Sequence, residues 1–454
     1  AATVTININA FPVEPVIAGN TLDGMGMAVN DLYEFCAASD LSAQTLDISS
    51  PDPTSTYIWY AGTSTANPLV TGASINFADL DFASAALDIN TAGTTTFYVR
   101  ETNAEGCEGD AKPVQVVINP LPVLSINNLN AQYCIDDGAF TITGLNNGMA
   151  LSGGTAAFSI STGGLTDNGD GTAVIDPGAA AVAAGETREG AQSMHRVTFT
   201  YTDDNSCQSM LEFDFVIDPQ PVLTIEAPTL VACFDAGDII LQGVVDGVDA
   251  TGGTFSLSTS AGLTDNGNGT ATFSPATAAM AAGETETGNA STHMVTFTLT
   301  DGNNCQNSTT VTLTVNPRPE LDIVLELDNT TSINGLNYCY DDASIVFRGF
   351  ADGGAATDGT FSAQFGGLID NGDGTATFDP ELAAGGAGET REGDVSTHNI
   401  TYTYTDPVTN CENTIVRTIT VSLEYQKYIP LFRRGNGSNQ RASRIRWGIC
   451  ESNC

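Results

Sequence analysis

Three stretches of the chain, "HRVTFTYTDDNSC" (195–207), "HMVTFTLTDGNNC" (293–305) and "HNITYTYTDPVTNC" (398–411), repeat one alternation of apolar residues with threonine. A period of two describes a strand with one face in a core and one in water, and a strand of that kind cannot be stable alone. The strands return about every hundred residues. "INPLPVLSI" (118–126), "IDPQPVLTI" (217–225) and "VNPRPELDI" (315–323) open the units in which they lie. Self-similarity at a fixed interval decides the architecture before any motif is considered. Further short strand candidates, "AFTITG" (139–144) and "DIILQG" (238–243), sit between Gly, Asn and Asp clusters. Six or seven short strands per unit predict an all-β chain of tandem immunoglobulin-like β-sandwiches, arranged as an elongated rod.

The expected organisation is an orphan terminal strand at 1–11, a divergent Ig-like domain at 12–119, three closer repeats at 120–218, 219–317 and 318–423, and a C-terminal tail at 424–454. "TVTININAFPVEP" near the start resembles "VQVVINPLPVLSI", the closing strand of one unit running into the opening strand of the next. The orphan is then either the cut end of a longer polypeptide or a strand that completes a sheet in a neighbouring molecule. In the divergent unit, Trp59 of "YIWY" is the expected large core residue. "DPGAAAVAAGE" (176–186) and its copies read as a short connector helix, with Asp or Ser before Pro as a cap.

The chain has 454 residues and a formal charge of −40, from 14 Lys and Arg against 54 Asp and Glu. Such a chain repels phosphate backbones, so nucleic acid is excluded as a partner. No stretch approaches the roughly 18 apolar residues of a membrane span, and the start shows no secretory leader. Six of the basic residues, Lys427, Arg433, Arg434, Arg441, Arg444 and Arg446, lie in the tail. That tail is complementary to the acidic body of its own chain or of a like neighbour.

Ten cysteines, Cys36, Cys107, Cys134, Cys207, Cys233, Cys305, Cys339, Cys411, Cys450 and Cys454, imply a disulfide framework and an oxidising, extracellular setting. Two pairings are open for the first eight. Within units they couple as Cys36–Cys107, Cys134–Cys207, Cys233–Cys305 and Cys339–Cys411. Between units they couple as Cys36–Cys207, Cys134–Cys305 and Cys233–Cys411, leaving Cys107 and Cys339 to find partners elsewhere. The intradomain scheme is preferred because it needs nothing outside each unit.

Candidate chemistry is sparse. His195, His293 and His398 stand one per unit, a domain apart, and are expected to cap a strand or bond a loop carbonyl. No catalytic motif is present, and the acid pairs Asp136/Asp137 and Asp203/Asp204 read as solvated loops, so an enzyme is not expected. The thrice-repeated "GLTDNGDGTAVIDP" (164–177) has the look of a calcium loop. Its spacing puts Gly169 where a ligand belongs, and one copy replaces Asp170 by Asn268, so a tight hairpin is expected instead. The remaining calcium candidates are the acids beside the cysteines: Asp136, Asp235 and Asp341 after the first of each couple, and Asp203, Asp301 and Asp406 before the second.

These segments resemble the tandem Ig-like and PKD-like repeats of large secreted proteins in Bacteroidota, many of them surface adhesins exported by the type IX system. The resemblance rests on "NPLPVLSI", "THNITYTYTD" and "NGDGTATFDP" and covers 120–423 well and 12–119 loosely. It implies secreted stalks, adhesins and filaments, so a structural or adhesive segment of a cell-surface fibre is expected; the orphan strand and the basic tail add the expectation of copies joined end to end by strand donation or tail docking. The alternatives are a module binding a surface glycan or host protein, and a non-catalytic spacer in a larger secreted enzyme.

Overall fold

In the computed structural model the alternating segments are the long central strands of successive Ig-like sandwiches. The structure describes residues 3–18, 31–62, 68–389, 394–422, 426–430 and 443–447. Two compact units result, one of residues up to 220 with 302–305, the other of 221–301 and 306 onward. Each contains two sandwiches with separate apolar cores.

The second sandwich, in the first unit, shows the plan. One layer joins Phe140–Asn146, Thr172–Ile175 and Leu165–Asp167, with Leu124–Asn127 added to the first of them. The facing layer runs Thr155–Ile160, Ser193–Thr202, Gln208–Asp218 and Gln132–Cys134. Every ladder is antiparallel except the last, in which Gln132–Cys134 runs parallel to the closing strand and Cys134 stands opposite Asp218. The other sandwiches repeat this parallel pairing at Cys36 opposite Asn119, Cys233 opposite Asn316 and Cys339 opposite Ser422.

Core packing follows from the alternation. Val197, Phe199 and Tyr201 point inward and are at most 2% exposed, while the threonines between them are half-buried on the other face. Phe199 lies so close to the facing layer that a Cβ at Gly144 would come within 2.2 Å of its ring. Gly243 against Phe297 and Gly349 against Tyr402 repeat the arrangement. In the first sandwich Trp59 is fully buried and donates its indole N–H to the Gly72 carbonyl at 3.1 Å.

The Asp/Asn/Gly stretch is a hairpin, with Leu165, Thr166 and Asp167 opposite Ile175, Val174 and Ala173. Gly169 and Gly171 have φ of 76° and 84°, the left-handed region that glycine enters without penalty. Asp167 bridges the layers, its carboxylate accepting from Phe158 N–H at 3.1 Å and from Gly169 N–H at 3.1 Å. Asp265 and Asp370 make the same two bonds. Asp170 and Asn268 each accept from the threonine two residues on, which explains why amide and carboxylate serve equally there.

The connector helices are Pro177–Ala183, Pro275–Ala281 and Pro380–Gly386. Asp176 and Asp379 cap theirs by accepting from Ala179 and Leu382 N–H. Ser274 departs from the expected cap, because its hydroxyl donates to Asp238 instead.

Candidate functional site at the repeat junctions

The intradomain disulfide scheme is incorrect. Cys36 bonds Cys207, Cys134 bonds Cys305 and Cys233 bonds Cys411, with Cα atoms 5.4 to 5.5 Å apart. Strand direction is the reason. Cys134 stands beside Asp218, at the finish of the closing strand Gln208–Asp218, whereas Cys207 immediately precedes its start. Eleven steps of roughly 3.3 Å separate the two positions by about 36 Å, far beyond the roughly 7 Å that a disulfide spans. Each early cysteine therefore lies at the exit of its own sandwich, where the turn of the following repeat is its neighbour. Cys207, Cys305 and Cys411 are completely buried. Cys107 is a free thiol, and Cys339 is disulfide-bonded. Cys450 and Cys454 lie outside the described residues, as does most of the expected tail.

Polar clamps surround these bonds. In the second unit the linker residue Arg318 reaches Glu286 at 2.5 Å, Asp235 at 3.5 Å and the carbonyl of Glu412, next to Cys411, at 2.9 Å. One side chain thus binds both sandwiches. In the first unit the equivalent linker residue, Gln220, accepts from Arg188 at 2.7 and 2.9 Å and donates to Asp136 at 2.6 Å. The roles are exchanged: Arg188 with Gln220 in one linker, Glu286 with Arg318 in the other. Asn307 and Asn413, two residues after a late cysteine, donate to the carbonyls of Pro221 and Pro319 at 2.9 Å and hold the cysteine turn on the opening of its own repeat. No local motif in the sequence marks these clamps. Their signal was the paired change at the middle of P-x-P and after "GET".

The calcium candidates are already engaged. Asp136 accepts from Gln220, Asp235 pairs with Arg318, Asp203 accepts from the N–H groups of Asn205 and Cys207, and Asp406 from those of Val408 and Thr409. Asp301 and Asp341 have interactions of their own. Among the described residues no three His, Cys, Asp or Glu side chains gather as a ligand set. Calcium at 5 mM, or its removal by chelator, is expected to move the melting temperature by less than about 1 °C, since oxygens bonded to N–H donors offer a cation little. Calorimetry checks this; a rise of several degrees would restore a metal site.

Each histidine is interior. His195 holds Ser193 Oγ at 2.7 Å and Thr162 Oγ1 at 2.8 Å, so its partners are hydroxyls rather than the expected loop carbonyl. His293 and His398 keep the matching bond to Ser291 and Ser396. All three are at most 1% exposed, and burial pushes each pKa down. The unfolded chain then takes up protons before the folded one. Stability is complete above about pH 6.5 and is lost as the pH falls through the lowered folded values. Urea midpoints are expected to drop between pH 7 and 5, and His293→Asn to flatten that slope by about a third.

Residues 28–120 match the Ig-like domain family described as CHU_C associated. No curated protein is similar in sequence. Solved structures of repeat-containing extracellular proteins match the chain at low identity. A tetra-tandem repeat from the extending region of a large adhesion protein is 10% identical, covers 90% of this chain and 99% of its own, and superposes with a TM-score of 0.30. A structure described for host cell surface retention of a 1.5-MDa bacterial ice-binding adhesin is 16% identical over 67% of this chain and 99% of its own, with a TM-score of 0.28. The protocadherin gammaB4 extracellular domain is 9% identical over 88% and 67%, with a TM-score of 0.28.

Proposed function

We propose that the chain is a load-bearing structural segment of an extracellular bacterial surface fibre or adhesin, its sandwiches stapled in series so that tension cannot unravel it. Export by the type IX route belongs to the same reading. The supporting observation is the interlacing of the three disulfides: Cys134 lies inside the loop closed by Cys36–Cys207, and Cys233 inside the loop closed by Cys134–Cys305. The covalent route from end to end runs through residues 1–36, crosses to 207, continues to 233 and crosses to 411. Residues 37–206 and 234–410 lie off that route, which closes through residues 411–454, and carry no tension through their backbone. Disulfides in this number also suit an oxidising compartment outside the cell.

Single-molecule pulling between the termini tests this. With disulfides intact the full extension is expected to be about 370 Å, the length of that shortened route at ~3.5 Å per residue. With reductant it should approach about 1600 Å. Unravelling to the longer value without reductant would contradict the proposal.

A further inference from the structure

Three copies of one buried histidine differ in a single contact. His195, His293 and His398 stand at the same place on the long strands Ser193–Thr202, Ser291–Thr300 and Ser396–Thr405. Nε2 of each meets the hydroxyl of the serine two residues earlier, at 2.7, 2.9 and 2.8 Å. At Nδ1 they part. His195 Nδ1 lies 2.8 Å from Thr162 Oγ1 and His293 Nδ1 is 3.5 Å from Thr259 Oγ1, whereas His398 Nδ1 has no hydrogen-bond partner among the described residues.

Strand register traces the difference to one position. Ser159 stands opposite Thr198, Ser256 opposite Thr296 and Ser362 opposite Thr401, in each case three residues beyond the histidine. Three residues after those serines come Thr162, Thr259 and Phe365. The fourth sandwich therefore holds a phenyl ring where the others hold a hydroxyl. The Phe365 and His398 rings are set perpendicular, with centroids 5.8 Å apart.

A neutral imidazole donates from one nitrogen and accepts at the other, while an imidazolium donates from both. The hydroxyls of Ser193 and Thr162 can each turn a lone pair toward His195 once it is charged. In the fourth sandwich Ser396 alone can do so, and the second N–H is left in a sealed interior with no acceptor. The rings of Phe365 and Phe378 attract a cation, but less than an accepting oxygen does. The strands Thr360–Ala363 and Thr375–Phe378 carry no charged residue. Charged side chains on the other surrounding elements are engaged elsewhere. Arg417 of the strand Glu412–Ser422 pairs with Asp322 at 2.8 Å, and Arg348 of the facing layer pairs with Glu326 at 2.7 Å. Asp379 accepts from Leu382 N–H, Glu381 from the Tyr340 hydroxyl, and Glu389 from Asp394 N–H. Burial is what moves the proton affinity of His398, and it moves it down.

We propose that the fourth sandwich is the acid-yielding element of this chain: a fall from pH 7 to 5 opens it while the second sandwich stays closed. The sign follows from linkage, since a histidine protonated more readily unfolded than folded draws the sandwich open below about pH 6.5. The bond from Cys411 to Cys233 is untouched by the proton and keeps the opened segment attached. This inference needs only one folded chain and stands apart from the fibre reading.

Imidazole NMR on the full chain tests it directly, because the sequence has three histidines and each reports one sandwich. Folded-state midpoints are expected to rise in the order His398, His293, His195, with about tenfold or more in proton affinity between the first and last. Hydrogen exchange at pH 7 and 5, corrected for the intrinsic rates, should show Ser396–Thr405 losing about tenfold more protection than Ser193–Thr202. Phe365→Thr should raise the His398 midpoint and remove that excess loss. Thr162→Val, which keeps the side-chain volume, should lower the His195 midpoint and make the second sandwich acid-sensitive. If Phe365→Thr loosens the fourth sandwich already at pH 7, Thr162→Val decides. A His398 midpoint at or above that of His195, equal losses of protection in the two strands, or a second sandwich indifferent to Thr162→Val overturns the inference.

Discussion

Replacing Cys233 and Cys411 together by serine is expected to lower the unfolding free energy of the third and fourth sandwiches by about 5 kcal/mol, the chain-entropy value for so long a closed loop. The bond closes 178 residues, and closure cost rises with the logarithm of loop length, so this staple constrains the unfolded chain as strongly as a disulfide can. Urea titration of the double variant against the parent, each with and without reductant, measures it. Reductant should cost the parent the most and add little further loss from this pair in the variant. An unchanged midpoint in the variant would mean that the sandwiches gain nothing from being tied.

Phe297→Ala should cost the third sandwich about 3–5 kcal/mol, the range for removing a large aromatic from a sealed core. The ring is wholly buried, packs tilted against Phe255 with centroids 4.6 Å apart and fills the space that Gly243 leaves, where a Cβ would meet it at 2.5 Å. Gly243→Ala alone should cost about 1–3 kcal/mol through overpacking. Combined, the two changes should cost less than their sum, because the added methyl occupies part of the void. Additive losses in urea titration would show that the residues do not share that space.

What the sequence made legible was local. Alternation along "VTFTYT" places Val197, Phe199 and Tyr201 in a core because side chains on a strand take opposite faces. Paired glycines at 169 and 171 announce a hairpin because few other residues accept positive φ. Comparing the copies at Asp170 and Asn268 separated a turn from a metal loop, and the structure shows both side chains serving as turn acceptors.

The disulfide error had a nonlocal cause. Gln132–Cys134 is three residues long, and its parallel pairing with the far end of Gln208–Asp218 is written in no periodicity. That pairing alone puts Cys134 at the exit and Cys207 at the opposite pole. Even spacing of the cysteines fitted both schemes, and the economy of closing each unit on itself chose the wrong one. The clamps were hidden for a related reason. Arg318 becomes a junction residue only because folding brings Glu286, Asp235 and the Glu412 carbonyl around it.

The most direct test of the central claim is non-reducing proteolysis of the native protein, followed by mass mapping of the disulfide-linked peptides. Peptides joining Cys36 to Cys207, Cys134 to Cys305 and Cys233 to Cys411 are the expected result, and a single backbone cut between residues 36 and 411 should leave the molecule in one piece until reductant is added. Peptides joining Cys36 to Cys107 and Cys134 to Cys207 would contradict the account.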